Sequence, residues 1–254
     1  MSDYYNPHRN ANWNYGGSHW KLSRSKIDLF LECPRCFYLD NKLGTKRPPG
    51  YPFTLNSAVD HLLKLEFDIH RKNGKPHPLI EKYGVEARPV EHASLGIWRD
   101  NFVGVQYLHP ETGILVTGAI DDLWINPQDE YIVVDYKSTA KSEKIESLDK
   151  DWHESYKRQM EVYQWLLRQN HHRVSNTGYF VYCNGITDKE AFDAKLEFDL
   201  TLISHQGNDA WVNDSIIDIK HSLEKDTLPP ATSNCDYCAY HQAVNQLESS
   251  QPSS

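Results

Sequence analysis

The sequence predicts a mixed α/β domain in which helices flank a central β-sheet. The order of the hydrophobic patterns is the main reason, since helical spacing gives way to strand-like alternation between residues 85 and 137 and then returns. The 254 residues are 39% hydrophobic, which is enough for one sizeable core. No apolar run approaches the roughly 18 residues that a membrane-spanning helix requires, so no membrane partner is expected.

Two helices open the predicted domain. The first covers residues 23–39, with Ile27, Phe30 and Leu31 on one stripe and a serine available as its N-cap. The second covers residues 55–70. Three apolar residues at helical spacing form its expected core face: Ala58, Leu62 and Leu65.

Alternation and β-branched residues then predict four strands, near residues 85–92, 101–109, 114–125 and 131–137. A strongly amphipathic helix follows at residues 152–169. The remaining elements are strands at residues 179–183 and 195–201 and a helix at residues 210–223.

Both ends of the chain are polar and show neither hydrophobic period. We therefore expect flexible tails at residues 1–20 and 243–254, with the folded domain at residues 21–242. The amino-terminal residues have neither a basic start nor an apolar stretch, so they do not look like a secretion signal and we expect a cytoplasmic protein.

The charge balance excludes one class of protein. With 27 Lys and Arg against 35 Asp and Glu, the net charge of −8 is not that of a protein that coats nucleic acid by charge alone. An acidic site with divalent cations stays compatible with a phosphate substrate, because the cations offset the repulsion. Two groups of basic residues form either a local basic groove or a solvated face: Arg35, Lys42, Lys46 and Arg47, and Lys141, Lys144, Lys157 and Arg158.

A hairpin in the middle of the chain brings charged residues together. The apolar residues 132–134 lead into Asp135 and Lys137, which share one face of a strand because side chains alternate. If the turn of the hairpin centres on Gln128, the residue numbers of each facing pair add up to 256. This register places Asp121 opposite Asp135 and Ala119 opposite Lys137. Two carboxylates and a lysine then converge on one face of the sheet.

Like charges directly opposite each other destabilise a sheet by about 0.2–1 kcal/mol. A divalent cation bound between two carboxylates makes their pairing stabilising instead. Oxygen ligands on rigid strands suit Mg²⁺ or Mn²⁺ better than zinc. A lysine at such a site orients the attacking water or stabilises charge in the transition state, so the pattern indicates phosphodiester hydrolysis. The alternative is an ordinary solvated strand end at Asp135 and Lys137, with Asp121 or Asp122 capping a turn.

Three further polar residues lie on predicted helices. Gln159 and Tyr163 are stacked on the inward face of the helix at 152–169, where they form either a polar pair aimed at a ligand or the lysine, or an ordinary buried glutamine beside a tyrosine. His61 falls on or beside the core face of its helix, as a metal ligand or a core residue, and Asp60 is expected to face solvent.

Five motifs occur in order: Ser23-x-Ser25 leading through a helix to Cys33-Pro34-Arg35-Cys36-Phe37-Tyr38, a helix with His61, Gly118-x-x-Asp121, Asp135-Tyr136-Lys137 and Gln159-x-x-x-Tyr163. Together they resemble the PD-(D/E)XK nucleases, and among them the RecB-type branch of helicase-nuclease domains and CRISPR-adaptation exonucleases. Each motif is degenerate alone, but five in this order are specific. The resemblance covers about residues 22–240 and implies a restriction-endonuclease-like core.

The resemblance also implies the roles of the site residues. It implies that Mg²⁺ or Mn²⁺ is held by His61, Asp121, Asp135 and the backbone carbonyl of Tyr136. It further implies that Lys137 is the catalytic lysine, with Gln159 and Tyr163 beside it and near the DNA. One departure from the branch is Ser57, where glycine is common four residues before the histidine.

Four of the five cysteines form two Cys-x-x-Cys pairs, which favour metal ligation in a reducing compartment over disulfides: Cys33 and Cys36, and Cys235 and Cys238. Such a site pins the carboxy-terminal segment to the first helix. Iron–sulfur members of the branch usually divide their cysteines one and three, whereas this chain divides them two and two. Four thiolates suit an iron–sulfur cluster or tetrahedral zinc, and free thiols are the alternative. Cys183 is expected to be a core residue.

These observations favour a metal-dependent nuclease that cleaves single- or double-stranded DNA in repair, recombination or defence, with a helicase or other repair protein as a candidate partner. Two alternatives stay open. One is an inactive nucleic-acid-binding or assembly module built around the cysteine site, although such a module is expected to have lost at least one catalytic residue type. The other is a nuclease directed at RNA.

Overall fold

The structure is a computed structural model that describes residues 6, 9–50 and 52–250. These residues belong to two compact units. The central unit consists of Pro52–Tyr107 and Val116–Val212, and the terminal unit draws on Met1–Tyr51, Leu108–Leu115 and Asn213–Ser254. Both units are assembled from separate stretches of chain, a division that a contiguous domain over residues 21–242 does not anticipate, and those limits stay a prediction.

The helices, in chain order, are α1 Arg24–Glu32, α2 Pro34–Asn41, α3 Thr54–Lys72, α4 Pro78–Lys82, α5 Leu95–Trp98, α6 Glu154–Gln169, α7 Ala210–Glu224 and α8 Asp236–Ser250. The strands are β1 Leu22–Ser23, β2 Arg88–Pro89, β3 Val105–Leu108, β4 Leu115–Gly118, β5 Asp122–Ile125, β6 Tyr131–Thr139, β7 Thr177–Gly185 and β8 Phe198–Gln206. Short 3₁₀ helices cover Ala11–Trp13 and Asp151–His153. None of the described helices has the length and apolar composition needed to cross a bilayer.

The central unit is built on a mixed five-stranded sheet in the order β2-β5-β6-β7-β8. Strands β6 and β7 are parallel, and the other neighbours are antiparallel. The β5–β6 pairing runs from Asp122 opposite Val134 to Ile125 opposite Tyr131, which is the predicted register. The predicted α/β class, with a mixed sheet flanked by helices as in a restriction-endonuclease-like fold, is confirmed.

Helix α3 packs on this sheet through a different face from the one predicted. Leu63 and Phe67 are buried, and the Phe67 ring stacks on the Trp124 ring with centroids 5.6 Å apart. Leu62 and Leu65 are 62% and 51% exposed, so the expected core face points to solvent. The helix carries two apolar stripes, and the one that contains its phenylalanine is buried because an aromatic ring removes more apolar surface from water.

Several element boundaries also differ from the predictions. The helix at 23–39 is two helices, because Cys33 is extended before Pro34, as residues that precede proline usually are. The strand at 85–92 is reduced to Arg88–Pro89, and the strand at 114–125 is divided into β4 and β5. Residues 243–250 continue α8 where a flexible tail was expected, and no residue of α8 is buried, which is why its sequence shows no apolar stripe.

Candidate active site and metal centre

Asp121 lies directly before the first residue of β5, a strand that lies between β2 and β6 in the five-stranded sheet. Its Oδ2 accepts a hydrogen bond of 3.0 Å from the backbone N–H of Tyr136 on β6. Its backbone carbonyl accepts a bond of 2.9 Å from Nε of Arg99. The carboxylate of Asp121 is therefore held to β6, and its main chain is held to Arg99.

Asp135, Lys137, Gln159 and Tyr163 form one connected group. Asp135 is fully buried and forms an ion pair with the ammonium of Lys137. Gln159 Nε2 donates to Asp135 Oδ1 at 2.8 Å and to the Tyr163 hydroxyl at 2.9 Å, while its Oε1 accepts from Lys137 Nζ at 3.2 Å. A buried carboxylate is tolerated only when it is paired and hydrogen-bonded, and this group supplies both conditions.

Gly118 permits this arrangement. A Cβ atom at position 118 would lie 2.8 Å from Cε1 of Tyr163 and 2.9 Å from Cδ1 of Leu166, closer than side chains normally approach. Helix α6 can therefore lie against β4 at this point only because residue 118 has no side chain. The sequence signal was the glycine three residues before Asp121.

The ammonium of Lys137 also lies over an aromatic ring. Its Nζ is 4.7 Å from the centroid of the Tyr156 ring on α6. The Trp152 ring packs edge-on against Tyr156 at 5.7 Å and is 46% exposed. The ring of Tyr156 thus connects Lys137 with the exposed indole of Trp152.

The helix residue that reaches this site is Asp60 and not its neighbour His61. Lys64 Nζ bridges Asp60 Oδ2 at 2.8 Å and Asp121 Oδ1 at 3.1 Å. Burial and the nearby Asp121 carboxylate raise the pKa of Asp60, and Lys64 and Lys137 offset only part of this rise. Asp60 is half-buried at the site, which corrects the expectation that it faces solvent.

His61 is exposed, and its role as a metal ligand stays a prediction. Neighbouring residues on a helix point about 100° apart. Because the stripe of α3 that is buried differs from the predicted one, Asp60 and not His61 faces Asp121. The signal for Asp60 was present in the sequence as its spacing to Lys64, since oppositely charged residues at i and i+4 adjoin on a helix.

The donor set at this site suits a hard divalent cation. Asp60, Asp121 and Asp135 supply carboxylate oxygens, which Mg²⁺ and Mn²⁺ prefer. The bridging ammonium of Lys64 shows that a positive charge is stabilised between Asp60 and Asp121. With lysines interposed, neither Asp60 nor His61 joins Asp121 and Asp135 in a group whose ligand atoms all lie within 4.8 Å of one another.

In the terminal unit, the four paired cysteines form a compact cluster, the only group of this kind among residues 6, 9–50 and 52–250. Their ligand sulfurs all lie within 4.8 Å of one another. The Sγ–Sγ distances are 3.8 Å for Cys33–Cys238 and 3.6 Å for both Cys36–Cys235 and Cys36–Cys238. The prediction that these cysteines come together from the two ends of the chain is confirmed.

The surroundings of the cysteine cluster shift its thiols in different directions: burial raises the pKa of Cys36 to about 11 and also raises the pKa of Cys238, whereas the pKa of Cys33 is lowered. Burial raises the pKa of the Cys33 thiol, but hydrogen bonds from Cys36 and Thr232 outweigh burial and lower it to about 6. Arg47 Nη2 donates to Cys235 Sγ at 3.3 Å, and its guanidinium stacks on the Tyr237 ring at 4.4 Å. The sequence grouped Arg47 with a basic surface and gave no local signal for this contact.

Other basic residues of the expected groove are also engaged within the protein. In the terminal unit, Arg35 Nε donates to the Pro229 carbonyl at 3.2 Å. In the central unit, Lys157 pairs with Glu154 at 2.6 Å. These contacts favour the solvated or structural role of such residues over a continuous basic groove. Cys183 is buried in the core of the central unit, as expected.

Comparisons with known proteins agree with this geometry. The family model described as "PD-(D/E)XK nuclease superfamily" matches residues 56–243. No curated protein matches the sequence. A solved structure titled "Crystal structure of SSO0001" is similar, with 14% sequence identity, a TM-score of 0.40 and coverage of 87% of this chain and 84% of that chain.

Proposed function

Because the chain belongs to the PD-(D/E)XK nuclease superfamily, we propose that it is a nuclease that uses Mg²⁺ or Mn²⁺ to hydrolyse the phosphodiester bonds of DNA. The observation that carries this proposal is the buried group of Asp135, Lys137 and Gln159 beside Asp121. The position of Gln159 and Tyr163 on the helix after the lysine motif supports the RecB-type branch.

The cation would be held by Asp60, Asp121, Asp135 and the backbone carbonyl of Tyr136. A divalent metal at such a site polarises a phosphoryl oxygen and lowers the pKa of a bound water. To admit it, the ammonium of Lys64 has to move away from Asp60 and Asp121. Lysine side chains do this readily, because their stems are flexible.

The protein's own contribution centres on Lys137. Asp135 and Gln159 hold its ammonium from two sides, and the face of the Tyr156 ring lies against it. A positive charge fixed in this way orients an attacking water and stabilises the negative charge that develops on the phosphate. Gln159 is itself held by Tyr163, so the lysine does not have to be reorganised during the reaction.

Incubation of the purified protein with labelled single- and double-stranded DNA tests this function directly. We expect cleavage with Mg²⁺ or Mn²⁺ and none in EDTA. The same assay on labelled RNA separates a DNA from an RNA nuclease. Binding of nucleic acid without cleavage under either metal would contradict the proposal and favour an inactive binding module.

Trp152 is the residue we expect to contact an unpaired base. A base that stacks on an exposed aromatic ring contributes about 1–3 kcal/mol to binding. Trp152→Ala is therefore expected to weaken binding of a single-stranded oligonucleotide about 5- to 150-fold, measured by fluorescence anisotropy in EDTA. The matched control is Trp13→Ala, because Trp13 is 49% exposed and belongs to the terminal unit. Equal affinities for the two variants would exclude this contact.

For the cysteine cluster we propose a single tetrahedral zinc ion. Four sulfurs bound at about 2.3 Å to one tetrahedral ion lie about 3.8 Å apart, close to three of the six separations, which are 3.6 to 3.8 Å, and all six are within 4.8 Å. In a cubane cluster each thiolate binds a different iron atom, so the sulfurs have to be farther apart. Zinc here would join the start of α2 to the start of α8.

Metal analysis of protein purified without oxygen is expected to give one zinc and no visible absorbance. Cys36→Ser should lose zinc and several kcal/mol of stability, since structural zinc binds with on the order of 10 kcal/mol. Cys183→Ala, which removes a buried thiol outside the cluster, should retain zinc. A brown protein that contains about four iron atoms would show a cluster instead.

A further inference from the structure

The residue after Asp121 is the centre of a buried ion cluster. Asp122 is fully buried, and both of its carboxylate oxygens accept hydrogen bonds. The donors are the backbone N–H of Leu123 at 2.8 Å, Arg99 Nη2 at 2.9 Å, Arg71 Nη2, the Tyr136 hydroxyl at 2.8 Å and Trp124 Nε1 at 3.2 Å. This carboxylate is among the most heavily bonded groups of the central unit.

The cluster balances its own charge. Asp68 pairs with Arg71 Nε at 2.9 Å and accepts two bonds from Arg99 Nη1, at 2.9 and 3.0 Å. Two arginines therefore face two aspartates. Because burying unpaired charge is costly, removing any one of the four leaves a net charge next to the acidic site.

Two members of the cluster hold the active site directly. Arg99 bonds to Asp122 with one nitrogen and to the backbone carbonyl of Asp121 with another. Tyr136 bonds to Asp122 through its hydroxyl, and its backbone N–H donates to the Asp121 carboxylate. Tyr136 also lies between Asp135 and Lys137 in the chain. The contacts thus form a closed loop that joins β5, β6 and Arg99.

We propose that Asp122, Arg99 and Tyr136 are positioning residues that set the distance between the Asp121 carboxylate and the Tyr136 carbonyl for a divalent cation. This inference rests on the proposed function, since the three residues support the cation site of the proposed nuclease. None of the three side chains has to touch the nucleic acid. A cluster that only stabilises the fold would not change the metal affinity of the folded protein.

Tyr136→Phe separates these roles, because it removes the hydroxyl contact to Asp122 and keeps the ring that packs against Phe67 at 5.6 Å. The readout is Mn²⁺ binding by calorimetry on the full chain, with the cysteine site loaded and no DNA, at a temperature where thermal scans show a folded protein. We expect an affinity about tenfold below wild type. Tyr38→Phe is the control: it also loses a buried hydroxyl contact, of 2.7 Å to the Lys225 carbonyl, but in the terminal unit, and should bind as wild type.

Arg99→Lys provides a second variant that keeps the charge balance. Lysine cannot reach the Asp121 carbonyl and Asp122 together as the planar guanidinium does, so weaker Mn²⁺ binding is expected again. Wild-type affinity in both variants, or in a folded Tyr136→Phe alone, would overturn the inference and leave the proposed function intact. A wild-type protein that binds no Mn²⁺ would contradict the proposed function and this inference with it.

Discussion

Lys137→Ala is expected to lower the rate of DNA cleavage by on the order of 10² to 10⁴. Asp135 forms an ion pair with the ammonium of Lys137, and Gln159 accepts a hydrogen bond from it. Without it, the charge that develops on the phosphate loses its fixed partner. The measurement is the single-turnover rate on labelled DNA with saturating Mn²⁺.

Two controls make this result interpretable. Lys157→Ala removes a lysine of α6 that pairs with Glu154 at the surface, and should cleave at the wild-type rate. Thermal denaturation shows whether Lys137→Ala is folded, since Asp135 loses its charged partner in that variant. A folded Lys137→Ala that keeps full activity would reject the proposed role of the lysine.

Asp60→Asn and His61→Ala are expected to have opposite outcomes. Loss of one carboxylate charge from the donor set should weaken Mn²⁺ binding about tenfold or more and slow cleavage at limiting metal. The asparagine keeps the size of the side chain and an oxygen for Lys64, so the fold should persist. His61→Ala removes an exposed imidazole and should leave both metal affinity and rate unchanged.

The pair of variants distinguishes the two assignments of the third ligand. If His61→Ala loses metal binding and Asp60→Asn does not, helix α3 presents the histidine to the cation, as the motif resemblance implied. Calorimetry with Mn²⁺ in the absence of DNA measures this without relying on catalysis.

The parts of the site that the sequence predicted depend on short-range rules. The β5–β6 register, from Asp122 opposite Val134 to Ile125 opposite Tyr131, followed from the turn and the strict alternation of strand side chains. The pairing of Gln159 with Tyr163 followed from helical spacing. In both cases the partners lie on regular elements whose geometry is fixed by the backbone.

The buried face of helix α3 was predicted wrongly because its sequence fits two burial patterns equally well. Helix α3 has two apolar stripes, and spacing alone does not say that Phe67 rather than Leu62 and Leu65 is buried. The same choice decides between Asp60 and His61.

Contacts between distant residues were missed for another reason. Arg71 and Arg99 reach Asp122 from separate segments, so no local spacing connects them, and the sequence allowed Asp122 only as a turn cap. Arg47 likewise meets Cys235 only after the chain ends come together.

The most direct test of the account is a crystal structure of the protein soaked in Mn²⁺, with anomalous diffraction used to locate the ion. We expect an anomalous peak within coordination distance of Asp60, Asp121, Asp135 and the Tyr136 carbonyl, with Lys64 displaced. A map without a peak at these four residues, or with a peak on His61 instead, would contradict the metal site on which the proposed nuclease depends.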